Sequence, residues 1–137
     1  MQHRYRELIT KALNAREAAY APYSSYKVGA ALLSKDDKIF TGCNVENASY
    51  GATNCAERTA IFKAVSEGST QFVAIAIVGG KAGEVSYAAP CGICRQVMME
   101  FCNPKEFHVI IAKSCEDYKV YTLEELLPVG FGAGNVK

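Results

Sequence analysis

The sequence predicts an α/β fold, a three-layer α-β-α sandwich built on a mixed five-stranded sheet. Three observations predict it. An amphipathic segment opens the chain, a strand-turn-strand pattern follows, and later apolar strands are reached through helical segments, which implies parallel crossovers. With 137 residues, 50% of them hydrophobic, the chain suits a single domain, 1–137, around one core.

Tyr5, Leu8, Ile9, Ala12, Leu13 and Ala19 recur near helical spacing, so a first helix is expected over 2–20, ending at Ala21-Pro22. Residues 26–34 read as a strand, Lys35-Asp36-Asp37 as a turn and 38–45 as the returning strand of a hairpin. A helix is expected over 54–67, with Ala56, Ala60, Ile61, Ala64 and Val65 on one side and Gly68 in the C-cap region. Residues 72–78 are continuously apolar, as in a strand covered on both faces. A second interior helix is expected over 91–101, then a strand over 107–112 and a short one near Val120. Thr122-Leu123-Glu124-Glu125 has the pattern of a capping box, starting a last short helix that Pro128 stops.

Net charge is +1, from 15 basic and 14 acidic residues. No block of Lys or Arg offers a footprint for a polyanion, so no nucleic-acid partner is expected and a small or uncharged ligand is favoured. The longest aliphatic run, 73–78, is too short to cross a bilayer, and no membrane partner is expected. Arg4, Arg6, Glu7, Lys11, Arg16 and Glu17 break up any signal-peptide apolar stretch, so a cytoplasmic location is expected. In that reducing compartment six cysteines read as metal ligands, catalytic groups or buried apolar side chains rather than a disulfide framework.

Pro90-Cys91-Gly92-Ile93-Cys94 sets two thiols one helical turn apart, open to three readings: a redox pair, half of a structural zinc knot, or part of a catalytic metal site. Cys55, in Asn54-Cys55-Ala56-Glu57-Arg58, stands at the start of the other interior helix. If both helices follow strands of one sheet, their N-termini share one sheet edge and Cys55, Cys91 and Cys94 converge. Helix N-termini favour thiolates, and three thiolates in tetrahedral reach select zinc while leaving one position open. Cys43, Cys102 and Cys115 are better read as small hydrophobes, and His108 as a strand residue.

Glu57 turns such a site toward a reaction. Water activated at the open position needs a base to take its proton and an acid to return it, and a carboxylate at the first helical turn can do both. Cys-x-Glu with Pro-Cys-x-x-Cys downstream matches the three-cysteine form of the zinc nucleobase deaminase signature. Three thiolates give the ligand set a net negative charge, so a nearby cation is expected: Arg58, one turn after Cys55, or Arg95, beside Cys94. Asn44 and Glu46, alternate residues on one strand face, suit a diol and would repel a phosphate, which favours a nucleoside over a nucleotide. A zinc-stabilised binding module would give Glu57 no role, and a thiol redox protein would hold no metal.

The chain resembles the short, homotetrameric, zinc-dependent type of the cytidine/deoxycytidylate deaminase family. The likeness runs through Ala21-Pro22-Tyr23-Ser24, the Val28-to-Leu33 run, Gly42-Cys43-Asn44-Val45-Glu46-Asn47-Ala48, Cys55 to Ala60, Pro90 to Gln96 and Glu124 to Pro128. The resemblance implies one zinc ion per chain and hydrolysis of cytidine and 2′-deoxycytidine to the uridine nucleosides with release of ammonia. It also implies that Asn44 and Glu46 hold the ribose 3′-hydroxyl, that Ala56 backbone contacts the pyrimidine, and that Gln96 supports Arg58. Tyr50 and Phe131 would come from neighbouring subunits. The family usually has Phe before Pro or Gln where this chain has Tyr26 and Lys27. Tyr26 can pack against a pyrimidine; blasticidin-S-type nucleoside deaminases share the zinc motifs, and Glu46 favours cytidine over their substrates.

Overall fold

Strand alternation decides the layers. The computed structural model describes residues 2–137; Met1, the first residue of the expected domain, lies outside the described residues. Five strands, β1 (Tyr26–Ser34), β2 (Ile39–Cys43), β3 (Phe72–Lys81), β4 (His108–Ser114) and β5 (Asp117–Thr122), form one sheet in the order β2-β1-β3-β4-β5. Ala31, Leu33, Ala74, Ala76, Val78, Ile110 and Ala112 pack on one face against α1 (Gln2–Arg16), which contributes Tyr5, Leu8, Ile9 and Ala12. Ala30, Leu32, Ile75, Ile77, Val109 and Ile111 pack on the other face, against α2 (Ala56–Ser66) and α3 (Gly92–Phe101). The period of two along each strand thus supplies two separate cores, and the three-layer α-β-α arrangement follows. Among the described residues, no helix is long and apolar enough to cross a membrane.

The sheet is mixed. β1 pairs antiparallel with both β2 and β3, as in Leu32↔Phe40 and Leu32↔Ile75, while β3 and β4 run parallel, as in Ile75↔Val109. Because β1 lies antiparallel between them, β2 and β3 point the same way. The chain leaving β2 enters α2, and the chain leaving β3 enters α3, so both helices begin over one edge of the sheet and lie on one face. β5 returns antiparallel to β4 as a hairpin and leads to α4 (Leu123–Leu126), whose capping box joins Thr122 and Glu125 reciprocally at 3.2 and 2.8 Å.

Helix α1 ends at Arg16, short of the expected residue 20. Residues beyond it serve other partners: Tyr20 N–H donates to the Asn44 carbonyl at 3.0 Å, and the Tyr20 carbonyl accepts from Glu46 N–H at 2.8 Å. That strand-like use of Tyr20 replaces the last helical turn. Val45 likewise leaves the β1–β2 ladder early, because its N–H and carbonyl exchange 2.9 Å bonds with Asn54. Arg16 itself is 7% exposed, and its guanidinium donates to the carbonyls of Lys27 at 2.8 Å, Gly80 at 3.1 Å and Lys81 at 3.0 Å, and also to that of Glu84. A buried charge of this kind is tolerated because every bond it makes ends on an oxygen.

Candidate active site

Backbone contact fixes where α2 begins. A Cβ on Gly42 would lie 2.6 Å from both the Ala56 carbonyl and the Ala60 N–H, so only glycine lets α2 rest on β2 at this depth. Cys55 and Cys91 are the N-caps of α2 and α3, both with extended backbone, and neither side chain caps its own helix. Their sulfurs are free to turn outward from the helix ends. Cys94 follows in the first turn of α3 and is fully buried.

The three sulfurs meet. Cys55 Sγ lies 3.7 Å from Cys91 Sγ, Cys91 Sγ lies 3.5 Å from Cys94 Sγ, and all three ligand atoms fall within 4.8 Å of one another. Sulfurs bound tetrahedrally at about 2.3 Å would be about 3.8 Å apart, so this cluster could hold a zinc ion with little adjustment. Among the described residues it is the one group of three or more His, Cys, Asp or Glu side chains close enough for a metal. A hydrogen bond between the Cys94 and Cys55 thiols, together with burial, pushes the Cys94 thiol well above its ordinary range. The same bond, opposed by burial and helped by Arg58, draws the Cys55 thiol down to about 5. Arg58 Nη2 donates to Cys55 Sγ at 3.2 Å.

Glu57 is 4% exposed. Burial pushes its carboxyl up to about 7, and the negative charge on Cys55 adds to the rise. It shares a cavity of about 320 Å³ with Cys55, Cys91, Ala56, Tyr26, Asn44 and Glu46. A buried carboxyl with a proton affinity near neutrality therefore stands beside a three-sulfur cluster, on a cavity of the volume small-molecule sites have.

The far end of the cavity is engaged within the chain. Asn44 Oδ1 accepts from Val28 N–H at 2.8 Å and its amide donates to the Tyr26 carbonyl at 2.8 Å, leaving one lone pair and one N–H for a ligand. Glu46 Oε1 accepts from the N–H groups of Tyr23 and Ser24 at 3.0 and 3.2 Å, and Oε2 accepts from the Ser24 hydroxyl. The Ser24 hydroxyl bond, chiefly, holds the Glu46 carboxyl below its ordinary range.

Two expected partners of the sulfur cluster go elsewhere. Arg95 donates to the carbonyls of Pro90 at 2.9 Å and Leu126 at 2.6 Å rather than to sulfur, because its position on α3 points it toward α4. Gln96 is exposed and donates to the Phe131 carbonyl at 2.7 Å, not to Arg58, whose Nε is buried without a hydrogen-bond partner. Tyr50 and Phe131, 79% and 61% exposed, lie outside the cavity of this chain. Sequence reasoning missed Tyr87, Ala88 and Ala89, which line the cavity beside Cys91. A usable signal existed: the chain that enters the Cys91 N-cap has to pass the site.

Comparison with known proteins agrees with this geometry. A family model for the cytidine and deoxycytidylate deaminase zinc-binding region matches residues 2–111. A cytidine deaminase of Halalkalibacterium halodurans is 53% identical over 126 residues, 92% of each chain. One from Sporosarcina psychrophila is 50% identical over 125 residues, 91% of this chain and 89% of its own. The crystal structure of cytidine deaminase from Burkholderia pseudomallei superposes with a TM-score of 0.82 at 52% identity, covering 91% of this chain and 97% of that one. With a zinc-binding deaminase domain over most of its length and a three-cysteine cluster suited to the ion, the chain belongs to the cytidine and deoxycytidylate deaminase family.

Proposed function

We propose that the protein hydrolyses cytidine and 2′-deoxycytidine to uridine and 2′-deoxyuridine with release of ammonia, using one zinc ion held by Cys55, Cys91 and Cys94. The observation that carries this reading is Glu57, a 4% exposed carboxyl that shares a cavity of about 320 Å³ with Cys55 and Cys91, two members of the three-sulfur cluster that the buried Cys94 completes. Zinc, when bound, supplies a Lewis acid that makes water nucleophilic near neutral pH. Glu57 takes one proton from the attacking water and passes it to the pyrimidine N3; once the oxygen has joined C4, Glu57 takes that oxygen's remaining proton and passes it to the amine, so that the C4–N bond breaks, ammonia leaves and the C4 carbonyl forms. Its carboxyl, pushed up to about 7, suits both taking and returning a proton. Arg58 offsets the charge of the thiolates through its bond to Cys55. Ala56 backbone and the Tyr26 ring flank the base, and the free valences of Asn44 and Glu46 receive the ribose 3′-hydroxyl.

Residues 1–137 act as a single catalytic domain in a homotetramer, in which Tyr50 and Phe131 of one copy complete the cavity of another; the exposure of both aromatics supports this. Six unpaired cysteines suit a cytoplasmic enzyme of pyrimidine salvage. The test follows ultraviolet absorbance of purified, zinc-assayed protein with cytidine, deoxycytidine, cytosine and a blasticidin-like nucleoside in parallel. Cytidine and deoxycytidine should be consumed fastest. A zinc-replete preparation that leaves both intact, or that prefers the blasticidin-like nucleoside, would overturn the assignment.

A further inference from the structure

Ser86-Tyr87-Ala88-Ala89 carries the chain from β3 to Pro90 and the Cys91 N-cap. Its main chain is pressed onto the end of β3. Ser86 N–H donates to the Gly79 carbonyl at 2.7 Å, and a Cβ on Gly79 would lie 2.9 Å from the Ala88 methyl, so Ala88 packs against bare backbone. Tyr87 leaves in the other direction. Its hydroxyl donates to Asp117 Oδ1, and the ammonium groups of Lys113 and Lys119 stand 4.7 and 4.6 Å from the ring centroid. Asp117 is fixed in turn, since its N–H donates to Ser114 Oγ at 3.1 Å across the tip of the β4–β5 hairpin.

The same tyrosine, with Ala88 and Ala89, lines the cavity next to Cys91 and Ile77, at the end where the sulfurs lie. Tyr87 is 38% exposed, and a tyrosine that exposed would ordinarily turn among rotamers. Here a charge-assisted hydrogen bond and two cations over the ring select one orientation. The hairpin, which lends no residue to the cavity lining, is tied by this contact to the wall beside Cys91.

We infer that Tyr87 is a positioning residue for the base: clamped by Asp117, it fixes the Tyr87-Ala88-Ala89 wall against which the pyrimidine lies. The inference rests on the deaminase reading and adds to it a residue that acts through the placement of the wall. The Ala88 contact with Gly79 holds one side of the segment, and the Tyr87 contact with Asp117 holds the other. Loss of the second leaves the wall free to shift away from the base, which weakens substrate binding more than it slows the proton transfers at Glu57.

The test compares the zinc-loaded full chain with Tyr87→Phe, Asp117→Asn and the double variant, by steady-state kinetics on cytidine and by thermal melting. A hydrogen bond to a charged group, discounted for exposure, corresponds to about a 3- to 10-fold change in binding. Each single variant should raise KM for cytidine by about that factor, lower kcat by less than about 2-fold and melt within about 2 °C of the parent. The double variant should be no worse than the worse single one, because the two changes cut one contact. Parental KM in both single variants, or KM effects that multiply in the double, would overturn the inference. A kcat loss matched by a fall in melting temperature would also overturn it, since that is what general destabilisation produces. A parent that does not consume cytidine at all would instead sink the deaminase reading on which the inference stands.

Discussion

The two ends of the cavity are built on opposite principles. At the sulfur end the groups come from two helix N-termini, sit deep, and set one another's protonation: Cys94 is hydrogen-bonded to Cys55, Arg58 donates to Cys55, and the charge on Cys55 raises Glu57. At the other end, proposed to receive the sugar, Asn44 and Glu46 stand on loop and strand-end backbone, and their bonds already go to Val28, Tyr26, Tyr23 and Ser24. The sulfur end gathers titratable groups; the other end is held in shape by hydrogen bonds. Damage to the first should appear in turnover, and damage to the second in substrate affinity.

The largest expected effect comes from removing the carboxyl proposed to carry the protons. Glu57→Gln should keep the fold and the zinc yet lower kcat by at least about 10³-fold, since one group serves several proton transfers in each turnover. Zinc content and cytidine loss measured on a single preparation decide it, and intact zinc with near-parental turnover would place Glu57 outside the mechanism. Next is Arg58→Ala, which leaves the thiolate charge uncompensated and should lower kcat by about 10- to 10²-fold with zinc retained. Single-turnover rates at saturating cytidine would show whether that loss lies in the chemical step, and parental rates would end the charge-compensation account.

At the opposite end, Glu46→Gln should raise KM for cytidine by about 10-fold with kcat within about 3-fold of the parent. Any residual activity on cytosine, which has no sugar, should be insensitive to the change. A fall in kcat instead would dissolve the contrast between the two ends. The smallest effect concerns pH and stability in metal-free protein. Glu57 is pushed up to about 7 from 4.5, so between those values the folded chain keeps a proton that the unfolded chain has released. The stability this group contributes is therefore complete below about pH 4.5 and is lost as the pH rises through about 7. Gln does not titrate. The melting temperature of Glu57→Gln minus that of the parent should rise by several degrees from pH 4.5 to 7, and a flat difference would contradict the burial assigned to Glu57.

The sulfur end was legible in the sequence because its residues sit at helix starts, where local pattern, spacing and backbone geometry all bear on the same few positions. Cys55, Glu57, Cys91 and Cys94 stand together in the structure as that pattern anticipates. The end of α1 was less legible: Ala19 continues the helical spacing, but the hydrogen bonds of Tyr20 with Asn44 and Glu46 come from a distant segment and override it. Arg95 and Gln96 are hard to place for a similar reason: beyond its local bond to Pro90, Arg95 reaches Leu126 at the end of α4, and Gln96 reaches Phe131, both positioned by long-range packing. Tyr87-Ala88-Ala89 has neither periodicity nor turn chemistry, and only its place directly before Pro90-Cys91 marks it as a cavity wall.

The antiparallel placement of β1 between β2 and β3 also orders events in time. During synthesis the β1–β2 hairpin and Cys55 emerge first, but at about 5–20 residues per second the chain needs seconds more to deliver Cys91 and Cys94. Cys55 then faces them through the pairing of β3 along β1, from Tyr26↔Lys81 to Ser34↔Phe72. The three-sulfur cluster is thus closed by a long-range pairing, and metal uptake during refolding should track the closure of that half of the sheet.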